Sequence, residues 1–326
     1  MGVLAHLGHS LKDLYLNMFG GRLRCESTRR LDGKVVVVTG ANTGLGKETA
    51  YQLSLRGAKL YIACRDLGKA DIAVKEIVSG NPKANITSLK LDLNSFKSIR
   101  EFADDLAIRE PRVDILVNNA GVFMCPEWKT ADGFEMQFGT NHLGSFLLTL
   151  SLIPLLKKSE SARVVNLSSS AHMTGRINFD NINLNNGAYS PMKAYAQSKL
   201  ANILFTRELA NRLGPNSNIK VYAVNPGAVN TDAQRHVRNA VFDWFIRKAF
   251  LTPEMGVQTS LYCVLDEKLD NESGFYYENC RRVEHMLSTA TDDKVSERLW
   301  DLSCDLVDLN DDMRRLFVRT PTVWQK

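Results

Sequence analysis

The sequence predicts an α/β protein with a doubly wound parallel sheet of about seven strands and helices on both faces. Two observations predict this fold class. Short runs of β-branched and apolar residues alternate with longer amphipathic segments from residue 35 to residue 224, which is the order of strands and crossover helices in a parallel sheet. The first run, Val35–Val38, is apolar without interruption, which is typical of a strand buried on both faces.

Each further element is located by its own pattern. The predicted strands are Val35–Val38, Lys59–Ala63, Ile86–Leu91, Val113–Val117, Arg163–Leu167 and Ile219–Val224. The predicted helices are Gly46–Arg56, Leu67–Val78, Ser95–Ile108 with Ser95 as its cap, Phe134–Leu156 and Tyr195–Leu213. Right-handed crossovers leave few topologies for such an order, so the elements indicate a single-domain Rossmann fold.

The predicted elements fall within one domain, from about residue 32 to residue 310. Residues 1–31 form an N-terminal extension and residues 311–326 a C-terminal tail. The segment 233–252 lies between the last predicted strand and a later helix, where a substrate lid would lie. Its large apolar residues can instead pack against C-terminal helices; they are Phe242, Trp244, Phe245, Ile246, Phe250 and Leu251.

The N-terminal extension combines leucines with basic side chains and few acidic ones. This composition favours either an amphipathic targeting or membrane-surface segment or a helix packed on the domain. No uncharged apolar stretch of about 18 residues exists, so no membrane-spanning helix is expected. We expect an intracellular protein that is mitochondrial or peripherally membrane-associated rather than free in the cytosol.

Charge and cysteine spacing argue against two other classes of protein. The formal net charge is +5 over 326 residues, with no concentrated Lys/Arg block of the kind that binds nucleic acid. The mild basic bias suits an anionic membrane surface or a phosphorylated cofactor. The six cysteines show neither CxxC spacing nor a histidine at zinc-ligand spacing, so we expect free thiols and no metal site.

A glycine-rich turn joins the first strand to the first helix in the pattern G-x-x-x-G-x-G. Small residues let the backbone approach a pyrophosphate, and free amides at a helix N-terminus attract it. Because the turn lies between a strand and a helix, a nucleotide-binding loop is favoured over a structural turn. The residues of this loop are Gly40, Asn42, Thr43, Gly44, Leu45 and Gly46.

The end of the second strand indicates which dinucleotide is bound. An acidic residue there would bind the 2′-hydroxyl of NAD, but the position holds Cys64. The next residue, Arg65, can bind a 2′-phosphate through charge-assisted hydrogen bonds. Asp66 can cap the following helix or partly neutralise Arg65. The pattern favours NADP(H) as the cofactor.

A tyrosine and a lysine four residues apart, Tyr195 and Lys199, share one face of a predicted helix. A phenol has a pKa of about 10 and is a poor acid or base at neutrality. A neighbouring ammonium and a positive nicotinamide would favour the phenolate and lower that pKa. Tyr195 is therefore a candidate general acid/base. Serines 168–170 and the sequence N-N-A-G at 118–121 also end strands, where sites in parallel sheets form.

With these motifs in this order, the chain resembles the short-chain dehydrogenase/reductase family. The resemblance covers about residues 32–230 through T-G-x-x-x-G-x-G, N-N-A-G, the strand-end serine and Y-x-x-x-K. Within the family it is most similar to the retinol dehydrogenases, in particular the retinol dehydrogenase 13 type. That likeness extends to the segments Asp132–Phe138, Asn141–Gly144, Ser198–Thr206 and Arg298–Asp301.

The resemblance implies a role for each site residue. Tyr195 would be the acid/base, Lys199 would hold the ribose and lower the pKa of Tyr195, and Asn141 would hold a water in a proton relay. Ser169 would orient the substrate oxygen beside Tyr195, with Ser170 as the alternative. Further cofactor contacts are implied for Asp92 at the adenine, Asn118 at the adenine-side ribose, Ala120, Gly121, and, in the P-G-x-x-x-T loop near the nicotinamide, Pro226, Gly227, Val229 and Thr231.

The implied function is hydride transfer between NADP(H) and a small hydrophobic aldehyde or alcohol that is similar to retinal or retinol. Steroids, fatty aldehydes and xenobiotic carbonyls would need the same chemistry. A non-catalytic NADP-binding protein is an alternative, but such relatives usually lose the tyrosine, lysine or serine. A sugar-nucleotide epimerase would need a different glycine spacing and a larger C-terminal domain. A homodimer is compatible with the sequence.

Overall fold

The structure is a computed structural model that describes residues 21–229 and 250–317. Its strands are β1 Val35–Thr39, β2 Lys59–Cys64, β3 Asn85–Lys90, β4 Ile115–Asn118, β5 Ala162–Leu167, β6 Ile219–Asn225, β7 Phe275–Glu278 and β8 Arg281–Arg282. They form one sheet in the order β3-β2-β1-β4-β5-β6-β7-β8. The strand order changes direction between β1 and β4, so the doubly wound fold predicted from the sequence is confirmed.

The first seven strands of the sheet are parallel, which accounts for the predicted number. β8 adds a short eighth strand, antiparallel to β7. Between them, Asn279 and Cys280 have φ values of 49° and 53°. Positive φ at both central residues is typical of a two-residue hairpin turn. Two residues carry no periodic pattern, so sequence analysis predicts no strand at β8.

The helices lie between the strands as the alternating pattern predicts. In the described residues the main ones are α1 Gly44–Leu55, α2 Leu67–Gly80, α3 Phe96–Arg109, α4 Met136–Leu156, α5 Pro191–Leu213, α6 Gln258–Leu265, α7 Asp293–Leu306 and α8 Asp311–Arg315. α5 begins four residues before the predicted Tyr195, because Pro191 occupies its first turn. Proline is favoured there, since its missing amide would have no helical partner.

α4 is the central helix on one face of the sheet. It is long and apolar enough to cross a membrane, but most of it is buried inside the fold. It is also irregular, because Gly139–Gly144 forms a π-helical turn. Such turns in α-helices are frequent at functional sites.

Two hydrophobic cores lie on opposite faces of the sheet, and β1 contributes to both. Successive side chains of a strand point to opposite faces. Val35 and Val37 accordingly pack in the core that contains α3, α4 and α5. Val36 and Val38 pack in the core that contains α1, α2 and α6. Burial on both faces explains the uninterrupted apolar run in the sequence.

Residues 21–31, which we call the strap, lie against the domain. Leu23 N donates to Asn279 Oδ1 at 2.8 Å, Cys25 N donates to Gln258 Oε1 at 3.0 Å, and Ser27 Oγ donates to Leu265 O at 3.1 Å. Sequence analysis assigns these residues to the extension because they lack strand or helix periodicity. Their hydrogen bonds make residues 21–31 part of the folded body.

The C-terminal tail and the lid are described only in part. Residues 311–317 of the predicted tail include α8, and the buried Phe317 packs on Trp300 with ring centroids 5.4 Å apart. Of the predicted lid, only residues 250–252 lie within the described part of the chain. There Leu251 N donates to Ala228 O at 2.8 Å, which ties the end of the lid segment to the loop after β6.

Candidate active site

The candidate site lies at the carboxyl edge of the sheet, where the strand order changes direction between β1 and β4. Ligands of open α/β sheets bind in the crevice outside such a switch point. The glycine-rich turn follows β1, N-N-A-G begins at the end of β4, and the three serines follow β5. Parallel strands end at the same edge, so the fold brings together motifs that lie up to 130 residues apart in the chain.

The glycine-rich turn is packed too closely for side chains. Gly40 and Gly44 have φ values of 64° and 53°, which glycine adopts readily. A Cβ atom on Gly46 would lie 2.4 Å from Gly40 O and 2.5 Å from Asn119 Nδ2. A Cβ atom on Gly40 would lie 2.9 Å from Ala120 Cα. The glycines therefore let the turn pack closely on itself and against N-N-A-G, at positions where no side chain would fit.

The N-terminus of α1 lacks a side-chain cap. Its N-cap residue, Thr43, has extended backbone and makes no capping hydrogen bond. The first amides of the helix thus have no intrahelical partner and carry the positive end of the helix dipole. Asn42 and Leu45 flank this end, partly exposed. An uncapped helix start beneath a turn of glycines fits a dinucleotide pyrophosphate.

N-N-A-G supports the glycine-rich turn from the neighbouring strand. Thr39 Oγ1 accepts hydrogen bonds from the amides of Asn119 and Ala120 at 3.0 and 2.9 Å. The Asn119 Nδ2 donates to Thr39 O at 2.8 Å. Asn118 is buried, and its Nδ2 donates to Thr149 Oγ1 and Asn166 Oδ1. A cofactor contact from Asn118 would therefore come from its main chain.

The end of β2 carries the predicted nucleotide-selecting residues. Asp66 accepts a hydrogen bond from Lys69 N at 3.0 Å as the N-cap of α2, so its carboxylate serves the helix. Arg65 is exposed, and its carbonyl accepts from Lys90 Nζ at 2.5 Å. Lys90 ends the adjacent strand and is opposite Cys64 in register. The structure thus adds a second cation beside Arg65.

Cys64, where an NAD-binding carboxylate is missing, and Asp92, a predicted nucleotide contact, lie at the same edge. Cys64 is buried, and burial raises the pKa of its thiol to about 11, while the amides of Ala41 and Asn42 oppose that rise. Its side chain is thus directed at the glycine-rich turn. Asp92 follows β3 and accepts a hydrogen bond from Asn94 N at 3.0 Å. Its side chain is partly exposed beside the end of β2.

Tyr195 lies on the first turns of α5, partly exposed, and pairs with Ser169. The Ser169 side chain lies close enough to the phenol to lower its pKa, and its Oγ accepts a hydrogen bond from Ala171 N at 3.2 Å. Ser170 begins the 3-10 helix Ser170–Thr174, and Ser168 Oγ donates to Lys199 O at 2.8 Å. Of the three consecutive serines, Ser169 is therefore the one that the structure brings to Tyr195.

Lys199 is buried beneath Tyr195 on the same face of α5. Its Nζ lies 5.5 Å from the centroid of the Tyr195 ring and donates to Leu167 O at 3.1 Å. Burial lowers the pKa of Lys199 to about 8. Burial likewise raises the pKa of Tyr195 to about 12, against the lowering effect of Ser169. Without cofactor, burial outweighs the lowering of the Tyr195 pKa that the ammonium was expected to cause.

Asn141 lies in the π-helical turn of α4 and is buried. Its Oδ1 accepts from Val122 N at 2.8 Å, and its Nδ2 donates to Val122 O at 3.0 Å and to Ser198 Oγ at 2.9 Å. A Cβ atom on Gly121 would lie 3.0 Å from Asn141 Oδ1 and 3.7 Å from Lys199 Nζ. The predicted catalytic asparagine and lysine thus approach the same glycine.

The loop after β6 borders the site on its other side. Asn225 Oδ1 accepts from Gly227 N at 3.0 Å, next to Pro226. Gly227 has a φ of 82°, and a Cβ atom on it would lie 3.2 Å from Arg22 Nη2 of the strap. Val229 is buried and forms a backbone bridge with Leu251. Thr231 lies outside the described residues.

Sequence reasoning missed several residues that position the site. Ser198 lies inside the Y-x-x-x-K motif, where it accepts from Asn141 and its Oγ donates to Tyr195 O at 2.8 Å. Phe123 follows N-N-A-G, and its ring lies 4.7 Å from that of Tyr195. Ser198 could have been found by its position within a motif, and Phe123 by its position shortly after one. Spacing alone does not reveal Lys90, because its role arises from strand pairing.

Comparison with known proteins agrees with this geometry. A family model described as short chain dehydrogenase matches residues 34–241. Retinol dehydrogenase 11 of Homo sapiens is 49% identical over 286 residues, 87% of this chain and 89% of that protein. Retinol dehydrogenase 13 of Homo sapiens is 43% identical over 319 residues, 95% of this chain and 93% of that protein. The predicted likeness to retinol dehydrogenases, including the 13 type, is confirmed.

Solved structures share the fold. A crystal structure of an uncharacterized protein from Mycobacterium paratuberculosis has a TM-score of 0.72 and 34% identity, with 88% of this chain and 98% of that chain covered. A short chain dehydrogenase from Escherichia coli CFT073, solved with NADPH, has a TM-score of 0.62 and 24% identity, with 76% of this chain and 97% of that chain covered. The second likeness concerns the fold alone.

Proposed function

This chain belongs to the short-chain dehydrogenase family, and on that premise we propose that it is an NADP(H)-dependent oxidoreductase for hydrophobic aldehydes and alcohols similar to retinal and retinol. The observation that carries the proposal is the Tyr195–Ser169 pair above the buried Lys199, at the same sheet edge as the uncapped start of α1. The family membership makes it an oxidoreductase that uses a nicotinamide cofactor; the choice of cofactor and substrate is our inference.

The preference for NADP(H) is supported by the charges at the end of β2. Arg65 is exposed, and Lys90 reaches its carbonyl, so two cations lie where a 2′-phosphate would be bound. The carboxylate of Asp66 caps α2 instead of neutralising Arg65. Cys64 provides no carboxylate for the 2′-hydroxyl of NAD. Each of these features favours a phosphorylated ribose.

In the reduction direction, the protein must deliver a proton and keep the carbonyl in place. A bound nicotinamide supplies the hydride to the carbonyl carbon. Tyr195 donates its phenolic proton to the carbonyl oxygen, and Ser169 donates a hydrogen bond to the same oxygen. The charge of Lys199 favours the resulting phenolate. Asn141 is held by Val122 and Ser198, from where it can hold the water through which Tyr195 is reprotonated.

The inference about the substrate rests on relatives and on the apolar surroundings of the site. The relatives described above are retinol dehydrogenases by name, and Phe123 lies against Tyr195. We propose a long apolar aldehyde as the substrate and reduction as the preferred direction. A steroid, fatty aldehyde or xenobiotic carbonyl would use the same acid/base and is the second candidate. Peripheral attachment through residues 1–20 would give access to such substrates in a membrane.

A turnover screen tests the proposed function. Purified protein is assayed with NADPH and with NADH against all-trans-retinal, medium-chain aldehydes and steroid ketones. We expect the highest kcat/KM for retinal with NADPH. Faster turnover of steroid ketones would favour the second candidate. Cofactor binding without turnover of any carbonyl or alcohol would contradict an enzymatic role.

A further inference from the structure

We propose that Phe123 is a specificity-determining residue of the substrate site, which favours carbonyl compounds with a flat, conjugated chain next to the carbonyl carbon. This inference rests on the proposed function. The ring of Phe123 meets that of Tyr195 at 85°, with 4.7 Å between centroids. It is half-buried, so part of the ring is accessible to a molecule that approaches Tyr195.

The backbone on both sides of Phe123 is tied to α4. Val122 exchanges two hydrogen bonds with Asn141, at 2.8 and 3.0 Å. Met124 N donates to Gln137 Oε1 at 2.9 Å, and Met124 has a φ of 50°, in the left-handed region. With both neighbours anchored to one helix, the position of the Phe123 ring is set by the fold.

A second set of contacts connects this loop to the helix that carries Tyr195. Tyr189 OH donates to Cys125 O at 2.6 Å. Gln137 Nε2 donates to Pro191 O at 2.8 Å, at the first residue of α5. Phe123, which forms an aromatic wall beside the site, and the acid/base Tyr195 are therefore held together by these hydrogen bonds. A substrate that requires the wall to move would have to break these hydrogen bonds.

The consequence is selection by shape at the carbon next to the carbonyl. A conjugated carbonyl is flat and can lie along an aromatic wall, with favourable contacts between π systems. A saturated chain is tetrahedral at that carbon and loses part of this contact. Aromatic contacts of this kind correspond to about two- to tenfold in kcat/KM. Phe123 would thus favour the flat member of two otherwise similar aldehydes.

Cinnamaldehyde and 3-phenylpropanal provide that comparison, since they differ in one double bond. We expect Phe123→Leu to lower kcat/KM for cinnamaldehyde by about two- to tenfold and to change that for 3-phenylpropanal less than twofold. Phe179→Leu is the matched control, because Phe179 is also half-buried but stacks on Arg298 away from the site. Tyr189→Phe should reduce the discrimination in the same direction by a smaller factor.

Equal losses for both aldehydes in Phe123→Leu, or no change in their ratio, would overturn the proposal. Calorimetric binding of cinnamamide and 3-phenylpropanamide to the enzyme with NADP gives the same comparison without turnover. If wild-type protein turned over neither of these aldehydes nor retinal, but Phe123→Leu abolished a preference for cinnamamide, the proposed function would fail and the role of Phe123 would stand. Absence of any preference between the amides in wild-type protein would refute that role.

Discussion

The phosphate-binding turn and the catalytic centre lie at the same edge of the sheet but are built in opposite ways. The turn depends on missing side chains: a Cβ atom on Gly40 or Gly46 would lie 2.9 Å or less from neighbouring atoms. The catalytic centre depends on side chains that are present: the buried Asn141 and Lys199 are hydrogen-bonded to other parts of the fold, and the half-buried Ser169 accepts from Ala171 N. One region presents backbone and the other presents functional groups.

This difference has consequences for what each region tolerates. The turn requires that Gly40 and Gly46 carry no side chain, because an added Cβ atom at either position would lie 2.9 Å or less from neighbouring atoms. A network of side chains has distributed requirements, so that a change at one member leaves the others in place. We therefore expect variants of Gly40 and Gly46 to lose cofactor binding and stability, and variants of Tyr195 and Ser169 to keep both while losing turnover.

The largest expected effect is that of Tyr195→Phe. The phenol supplies the proton, and general acid/base groups contribute on the order of 10²–10⁴-fold to rate. We expect kcat to fall within that range while NADPH binding, measured by calorimetry, changes less than about twofold. Near wild-type turnover would show that Tyr195 is not the acid/base. Loss of NADPH binding would show that the catalytic centre and the turn do not differ in their effect on cofactor affinity.

Gly46→Ala tests the other side of the comparison. The added methyl carbon would lie 2.4 Å from Gly40 O, and overpacking of this kind costs about 1–3 kcal/mol. We expect affinity for NADPH to fall by about ten- to a hundredfold, together with a lower Tm. Gly68→Ala is the control, since its Cβ would meet Asp66 Oδ1 at an ordinary 3.4 Å within α2. Equal behaviour of the two variants would show that the turn has space to spare.

Arg65→Leu asks whether a side chain adds selectivity to a site made of backbone. Hydrogen bonds to charged groups contribute about 1.5–3 kcal/mol, so wild-type protein should prefer NADPH over NADH by about ten- to a hundredfold in kcat/KM. The variant should lose most of that preference, and Cys64→Asp with Arg65→Leu should reverse it. Lys75→Leu, an exposed position of α2, controls for the loss of one charge. A wild-type preference for NADH would contradict the role of Arg65.

Two truncations test the contribution of the strap, which lies beside Gly227 in the loop after β6. Deletion of residues 1–20 should leave Tm and turnover unchanged. Deletion of residues 1–30 removes the hydrogen bonds of Leu23, Cys25 and Ser27, and each is worth about 0.5–1.5 kcal/mol. We expect Tm to fall by several degrees by differential scanning calorimetry. Identical Tm values for both truncations would mean that the strap contributes nothing to the fold.

The smallest expected effect is a pH dependence that belongs to the catalytic centre alone. Burial lowers the pKa of Lys199 from 10.5 to about 8. Between these values the unfolded chain binds more protons, so the free energy of unfolding rises with pH. The raised pKa of Tyr195 opposes this only above pH 10. The stability of cofactor-free wild type should therefore rise relative to Lys199→Met between pH 8 and 10.

Taking the difference between wild type and Lys199→Met cancels the titration of the buried cysteines, which both proteins share. A difference in unfolding free energy that stays constant from pH 7 to pH 10 would contradict the lowered pKa of the buried Lys199. The glycine-rich turn contains no titratable side chain, and Gly46→Ala should show the wild-type dependence.

The contrast between the two regions also explains what could be predicted from sequence. The turn lies directly between β1 and α1 in the chain. The β-branched run and the glycine spacing were therefore sufficient to predict Gly40, Gly44 and Gly46. Tyr195 and Lys199 were predictable because four residues make one helical turn. The choice of Ser169 over Ser170 came from the family resemblance alone, since the serine that lies beside Tyr195 depends on how the chain turns after β5.

Other features were beyond sequence reasoning because they arise from distant contacts. Lys90 meets Arg65 through the pairing of β2 with β3. The strap is irregular, so no periodicity indicates that it binds Asn279 and Gln258 more than 230 residues later. The raised pKa of Tyr195 follows from burial, which the motif alone does not specify.

The π-helical turn Gly139–Gly144 determines how α4 would respond to the deletion of one residue. A π-turn holds one more residue than the α-helical turn it replaces, so loss of one residue here would restore a regular helix. Each residue accounts for about 100° of rotation in an α-helix, and Gln137 would then turn away from Met124 while Leu148 kept its place in the core. A chain lacking Thr140 should accordingly fold but fail to anchor the loop at Phe123. Unchanged protection of the Met124 amide in hydrogen exchange would contradict that outcome.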